Sequence, residues 1–317
     1  MKNPALLGVG WLGVLVLAIP AAAQKDEWER AMGFRMLVQK VVRADVVVIG
    51  KVIGIEKEPV NLETVEVVGF DWPQRKTRTV SYKVALVKVQ ENLIGAENIT
   101  HLKIAFVPQE VAPPPPIARP FRPKDQEIVQ RTTAYPVDLR EGEEFLFFLV
   151  KHPGGLYFMM LYPDLPIVVK GRDKEIYQAK EVAAILAKPM VALKSDKPEV
   201  RVRAAAVLVM KFRSAPMFAQ QVDQVPIDAE MSRLILQALA EADWSQQPNA
   251  DEFPFQVAQA FYALGLTPQD GWTPPKFTPP QPGQPPVDYN KLVHKSFVEW
   301  LKGPGKNYRI KKFVAKN

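Results

Sequence analysis

Apolar residues in this chain change their period once. From Ala44 to Tyr162 they alternate or run together in short blocks, and after about residue 175 they recur at three- and four-residue spacing. No helical pattern interrupts the strands. A βαβ alternation, and with it a doubly wound parallel sheet, is therefore excluded. The order predicts an α+β chain with strands first and helices after.

The first strand, 45–55, opens on four β-branched residues, Val46 to Ile49, and is punctuated by Gly50 and Gly54. Such a strand could begin a dinucleotide fold, but that fingerprint needs G-x-G-x-x-G and a helix aimed at the phosphates. Here the glycines stand four apart and more strand follows. In Thr79–Gln90, Val80, Tyr82, Val84 and Leu86 share one face before Val87 and Val89 take over, a phase slip that predicts a β-bulge. Residues 101–107 alternate, and 143–150 are nearly all apolar and should be buried. Residues 155–162 follow a Pro153-Gly154-Gly155 turn signal. Five antiparallel strands with a bent first strand predict a five-stranded Greek-key β-barrel of the OB type, the glycines permitting the bend. A proline-rich insertion, 108–138, separates its third and fourth strands.

Ahead of the strands, residues 26–42 read as a helix through Trp28, Met32, Met36, Leu37 and Val41. Behind them, the stretch 180–214 reads as two helices. Asp196 and Glu199 stand at capping-box spacing there, and Pro198 fits a first turn. Val200 to Met210 is apolar nearly all round, as in a helix sandwiched between neighbours, HEAT-like at best because no repeat is visible. Met231, Leu234, Ile235, Ala238 and Leu239 make one stripe. A further helix over 254–264 stops at Gly265, and a last one runs from Asp288 to Lys302. The chain thus divides into a leader (1–23), an N-terminal helix (24–43), an OB-like unit (44–175) and a helical unit (176–267). A proline-rich linker (268–287) and a closing helix with a basic tail (288–317) complete it.

The leader has a charged start at Lys2, an apolar stretch from Leu6 to Ile19 and the small residues Ala21-Ala22-Ala23. This is the pattern of a secretory signal cleaved before Gln24, which predicts a periplasmic or extracellular protein with no transmembrane span after cleavage. There is no cysteine. Export therefore brings no disulfide framework, and thiolate zinc sites and cysteine nucleophiles are excluded. The net charge is +7, and residues 291–317 hold eight Lys or Arg against one acid, so the remainder is close to neutral. A basic tail solubilises the terminus or attracts acidic partners in a salt-dependent way.

The strings "ADVVVIGKVIGIE", "YKVALVKVQENLIG" and "LREGEEFLFFLVK" resemble the strand pattern of the OB-type domain of tissue inhibitors of metalloproteinases and netrin modules, over residues 44–162. That resemblance implies an OB barrel. Inhibitors of that family chelate zinc through an N-terminal cysteine. This chain has none, so that route is not implied here. "ENLIGAENITHLKIAFVP", "IDAEMSRLILQALAEADW" and "NYRIKKFV" are also similar to a group of exported proteins of planctomycete-type bacteria, which implies architecture and export.

The three histidines, His101, His152 and His294, have no metal-ligand neighbour at i+2 to i+4, and no nucleophile or phosphate-loop motif is present. Glu141, Glu143 and Glu144 cluster at a turn and strand start, as structural residues do. No metal and no cofactor is expected. One stretch stands out, Val67 to Arg78, read as the loop between the first two main strands. It places Phe70 and Trp72 beside Arg75, Lys76 and Arg78. Rings that stack and cations that meet an anionic chain suit an acidic polysaccharide or a single-stranded nucleic acid, and export disfavours the nucleic acid. The expected function is a non-catalytic binding or scaffold protein of the cell envelope, whose partner is a protein or an acidic polysaccharide. An inhibitor-like module acting through a barrel edge and an enzyme of another type are the alternatives.

Overall fold

In a computed structural model of the chain, the described residues are 37–68, 74–108, 136–160, 165–219, 221–244, 257–276 and 287–316. The fold is mixed α+β. Helix α1 is described over residues 37–43, the part of the expected N-terminal helix that lies within the described residues. Strands β1 (Val46–Ile55), β2 (Val60–Val68), β3 (Gln74–Ile94), β4 (His101–Pro108), β5 (Pro136–Val137), β6 (Glu144–Lys151), β7 (Phe158–Met160) and β8 (Ile167–Val168) form one mixed sheet. Its pairings run β1 to β3, β3 to β4, β4 to β7, β7 to β6, and β6 back to β1, so the sheet closes on itself as a ring. The expectation of an all-antiparallel set is corrected here: β4 pairs in parallel with both β7 and β5.

The ring explains the unbroken apolar runs. On β1, Val46 and Val48 face an inner cluster with Phe145, Phe147 and Leu149 of β6, while Val47 and Ile49 face outward. Leu146 and Phe148 of β6 do the same, so both strands are buried on two faces and lose the alternation of a half-exposed strand. Gly50 is required by space, because a Cβ there would stand 2.5 Å from Val87 Cγ1 and 3.1 Å from the Lys88 carbonyl oxygen. Gly54 meets nothing within 4 Å.

The phase slip of β3 falls at a bulge, as expected, in its ladder with β1. Its ladder with β4 is unbroken from Lys83 to Lys88. At the slip the extra residue is on β1, where Ile53 falls between the pairs Val52↔Val87 and Gly54↔Leu86, and further along the extra residues are on β3, Gln90 between the partners of Gly50 and Ile49 and Leu93 between the partners of Val48 and Val47. Along β3 the buried face itself changes. Tyr82 packs in an outer cluster with Ala105, Val150 and Met159, and Ala85 and Val87 pack inside the ring.

The outer faces of β1 and β6 carry the helices. These are α2 (Asp173–Ala187), α3 (Pro189–Leu193), α4 (Pro198–Phe212), α5 (Ala229–Glu241), α6 (Val257–Ala263) and α7 (Tyr289–Lys302). The first of the two helices expected over 180–214 is split at Pro189, which lacks the N–H needed to continue a helix and starts a new one instead. The expected capping box does not form. Lys197 is the N-cap of α4 and makes no side-chain cap bond, although Pro198 does occupy the first turn. Ala204 to Val209 are all buried, as expected of a helix packed against α2, α3, α5, α6 and a C-terminal strand. A single apolar cluster runs from α1 and the outer face of the ring through all the helices to Ile310.

Part of the segment read as a linker and part of the basic tail are ordered. Within 268–287, read as a linker, Pro268–Asp270 forms a 3-10 turn and Trp272 is buried. Residues 277–286 lie outside the described residues. The basic tail contains β10 (Lys311–Ala315), which pairs antiparallel with β9 (Val222–Pro226), and Lys311 Nζ lies 2.9 Å from Asp270 Oδ1. Among the described residues no helix is long and apolar enough to cross a membrane.

Where the layers meet, Lys211 Nζ donates to the Ala44 carbonyl at 3.3 Å. Burial pushes the Lys211 ammonium below its ordinary 10.5, and the charge of Asp45 opposes that shift. Between the depressed value and 10.5 the unfolded chain holds this proton and the folded chain does not. Stability therefore rises with pH through that window, and below it the burial cost is fully present. Lys211→Met should flatten this rise and stabilise the chain at neutral pH by on the order of 1 kcal/mol. Chemical denaturation across the alkaline range checks it, and a slope identical to the parent's would refute the assignment.

Candidate functional site

Strand β3 is long because two partners share one of its edges. β1 covers Ala85 to Ile94, and β2, after the interruption at Glu56 to Pro59, covers Gln74 to Tyr82. The β2–β3 pair therefore leaves the ring as a two-stranded arm in unbroken register from Val60↔Tyr82 to Val68↔Gln74. The stretch Val67 to Arg78, expected to be a loop, is mostly strand; only 69–73 connects the two. Phe70 and Trp72 fall in that connection and lie outside the described residues. Arg75, Lys76 and Arg78 occupy β3 at the register positions opposite Val67, Glu66 and Thr64, and Arg78 is exposed. The base of the arm is fixed by Val60, Leu62 and Val80, which pack with Met217 and Phe218 against the outer cluster.

The other sequence candidates have structural partners. His152 Nδ1 accepts from the Gly154 amide at 3.1 Å, so its Nε2–H donates to the Glu63 carbonyl at 3.0 Å and ties the β6–β7 turn to the arm. His294 Nε2 donates to the Ala240 carbonyl at 2.8 Å while its ring stacks on Trp244. His101 shares a hydrogen bond with the Thr100 hydroxyl. Glu141 accepts from the Ile55 amide, and Glu144 accepts from the Gln90 side chain at 2.7 Å. Among the described residues no group of His, Asp and Glu is arranged to hold a metal ion.

A second feature lies in the helical layer. A groove of about 720 Å³ runs between α5, the end of α7 and the turn that follows it. Leu236, Ala240, Val298 and Leu301 give it apolar surface, and Arg233, Lys302 and Lys306 bring cations from both walls. Glu230 is paired with Lys194 at 2.8 Å and Glu241 with Arg201 at 3.1 Å. Hydrogen bonding from Gln237 is the leading favourable cause holding the Glu241 carboxyl below its usual range, with Arg201 adding to it. Tyr308 closes one side. Burial, reinforced by the Asp270 charge, pushes its hydroxyl up to about 12, so it is a neutral donor at any physiological pH. No family model and no curated protein sequence matches the chain. The two candidate surfaces, arm and groove, are therefore argued from their own geometry.

The groove was missed in the sequence, yet α5 carries a signal for it. Ala229, Arg233, Leu236 and Ala240 recur at i, i+4, i+7 and i+11, a second face beside the core stripe of Ile235, Ala238 and Leu239. Leu236 is off that stripe and is nevertheless only 3% exposed.

Proposed function

We propose that this chain is a non-catalytic, exported binding or scaffold protein of the cell envelope, built on an OB-type Greek-key barrel and contacting an acidic partner through the β2–β3 arm. The observation that carries the reading is the arm itself: a two-stranded ribbon extending from the ring whose β3 strand carries Arg75, Lys76 and Arg78, with Arg78 exposed, while the acids Glu63 and Glu66 lie on β2. Support for the OB-type assignment comes from the pairing order. Counting only the ring strands, the first pairs with the second, the second with the third, the third in parallel with the fifth, and the fourth closes on the first. In such folds the connection between the first two strands is a common ligand-contacting element. Support for a non-catalytic role comes from the structural partners of the histidines and of Glu141 and Glu144.

The test is binding to immobilised polygalacturonate, with neutral dextran as reference, and capture of envelope proteins in parallel. The parent should bind the acidic chain or an acidic protein with an affinity that falls as salt rises. The triple variant Arg75→Ala/Lys76→Ala/Arg78→Ala should bind about tenfold more weakly and with a shallower salt dependence. Retention of every partner by the triple variant would remove the arm from the proposal.

A further inference from the structure

The groove between α5 and α7 carries an inference independent of the arm. Hydrogen bonds at both of its ends fix how its walls face each other. At one end His294 Nε2 donates to the Ala240 carbonyl at 2.8 Å. At the other the Ile310 amide donates to Ser232 Oγ at 3.1 Å, and the Arg309 guanidinium donates to the Ile227 carbonyl. α7 and the turn after it therefore run back along α5, from its last turn to its first. From His294 to Lys302, α7 rises about 12 Å. The same distance back along α5 from Ala240 reaches Ser232, next to Arg233. Half of it brings Val298 level with Leu236.

Charge and apolar surface are thus separated along the groove. Arg233 and Lys302 share the end at the start of α5, and Lys306 follows in the turn beyond Lys302. These three cations are exposed and make no ion pair with a described residue. Arg309 adds its charge at the same end. The acid there, Glu230, is already held by Lys194, and Glu241 at the far end is held by Arg201. Away from the cations the floor is Leu236, Ala240 and Val298. Leu236 lines the groove yet is only 3% exposed, so the floor is recessed below the charged rim. A bilayer surface is met by apolar residues that protrude, and these do not. A bare anion would use the cations and leave the floor wet. Cations gathered at one end of a recessed apolar floor match a ligand of the same polarity, with one acidic head and one apolar tail. From Arg233 to Ala240 the floor extends about 10 Å, which sets the reach of that tail.

We infer that the α5–α7 groove binds a free single-chain amphipathic anion of the medium-chain carboxylate class. Its head meets Arg233, Lys302 and Lys306, the guanidinium fork suiting both carboxylate oxygens. Its tail rests on Leu236, Ala240 and Val298.

Isothermal titration calorimetry of the whole chain with decanoate, kept below the concentration at which it forms micelles, tests this. Decanoate should bind saturably. It should bind at least about tenfold more tightly than decyltrimethylammonium, which has the tail with a cationic head, and than acetate, which has the head without the tail. Arg233→Ala/Lys302→Ala/Lys306→Ala changes only exposed side chains. It should cost about tenfold in decanoate affinity without moving the melting temperature, and it should erase the preference over the cationic probe. Ala240→Trp, which fills the floor, should abolish decanoate binding. Where that residue lowers the melting temperature, Ala240→Leu takes its place and should weaken binding. No saturable binding, equal affinity for decanoate and its cationic counterpart, an unaffected triple variant or unaffected Ala240 variants would overturn the proposal. Acetate binding as tightly as decanoate would overturn it in favour of a bare-anion site. Co-sedimentation with phosphatidylglycerol vesicles that decanoate does not compete away and the triple variant loses would overturn it in favour of a membrane surface. None of these readouts involves Arg75, Lys76 or Arg78, so the arm and the groove fail separately.

Discussion

Phe148→Ala is expected to destabilise the entire chain by about 3–5 kcal/mol, in one transition and not two. Phe148 is fully buried on the outer face of β6, paired in register with Val47, with the Lys40 ammonium 5.5 Å from its ring. It belongs to the same apolar cluster as Leu208, Leu239 and Phe297 in the helices. Truncation leaves a phenyl-sized cavity at the surface where ring and helices meet, so the loss falls on both. Far-UV ellipticity and the fluorescence of Trp244, Trp272 and Trp300, all buried in the helical layer, report the helices, and amide hydrogen exchange along β1 and β6 reports the ring. Both signals should shift to lower denaturant together. If the ring and the helical layer are instead independent units, a strand signal will move while the helical one stays in place. That outcome would contradict the shared core.

How much of this was legible in the sequence depends on whether a residue's environment is set locally. The burial of Phe145 to Val150 was readable because a continuous apolar run has no solvated face to offer. The start of α7 was readable because Asp288 accepts from the Lys291 amide, a cap whose partners lie three residues apart. The reach of β3 to 21 residues was not. Its first residues, Gln74 to Arg78, are polar and cationic, and they are strand because β2 pairs with them. The parallel contact of β4 with β7 leaves no local trace, since alternation is the same in either direction. β9 escaped notice because all five of its residues are exposed, so it has no apolar face to alternate. The groove was illegible for a related reason. Its walls come from three segments, 229–241, 298–302 and 305–309, and Lys302 and Lys306 read singly as solvated tail charges. Only Leu236, apolar and off the core stripe, hinted that α5 has two working faces.

Gly305→Ala should lower stability by about 1–3 kcal/mol. The reason is space, not backbone conformation. A Cβ at Gly305 would stand 2.4 to 2.6 Å from three atoms of the Trp300 indole. That ring cannot step aside cheaply. It stacks on Phe297 at 5.9 Å, meets Trp272 and Tyr308 edge-on, and donates from Nε1 to the Asp270 carbonyl at 3.1 Å. Displacing it disturbs Tyr308, which lines the groove, and the turn that carries Lys306 and Asn307. A double-mutant cycle separates this account from a generic loss of glycine. Trp300→Leu alone opens a cavity and is costly. Combined with Gly305→Ala, the smaller side chain makes room for the new methyl, so the double variant should be more stable than the sum of the two costs predicts. Denaturation midpoints of the four proteins provide the measurement. Strict additivity would mean that Gly305 and Trp300 do not meet as described, and the placement of the turn against α7 would have to be withdrawn with it.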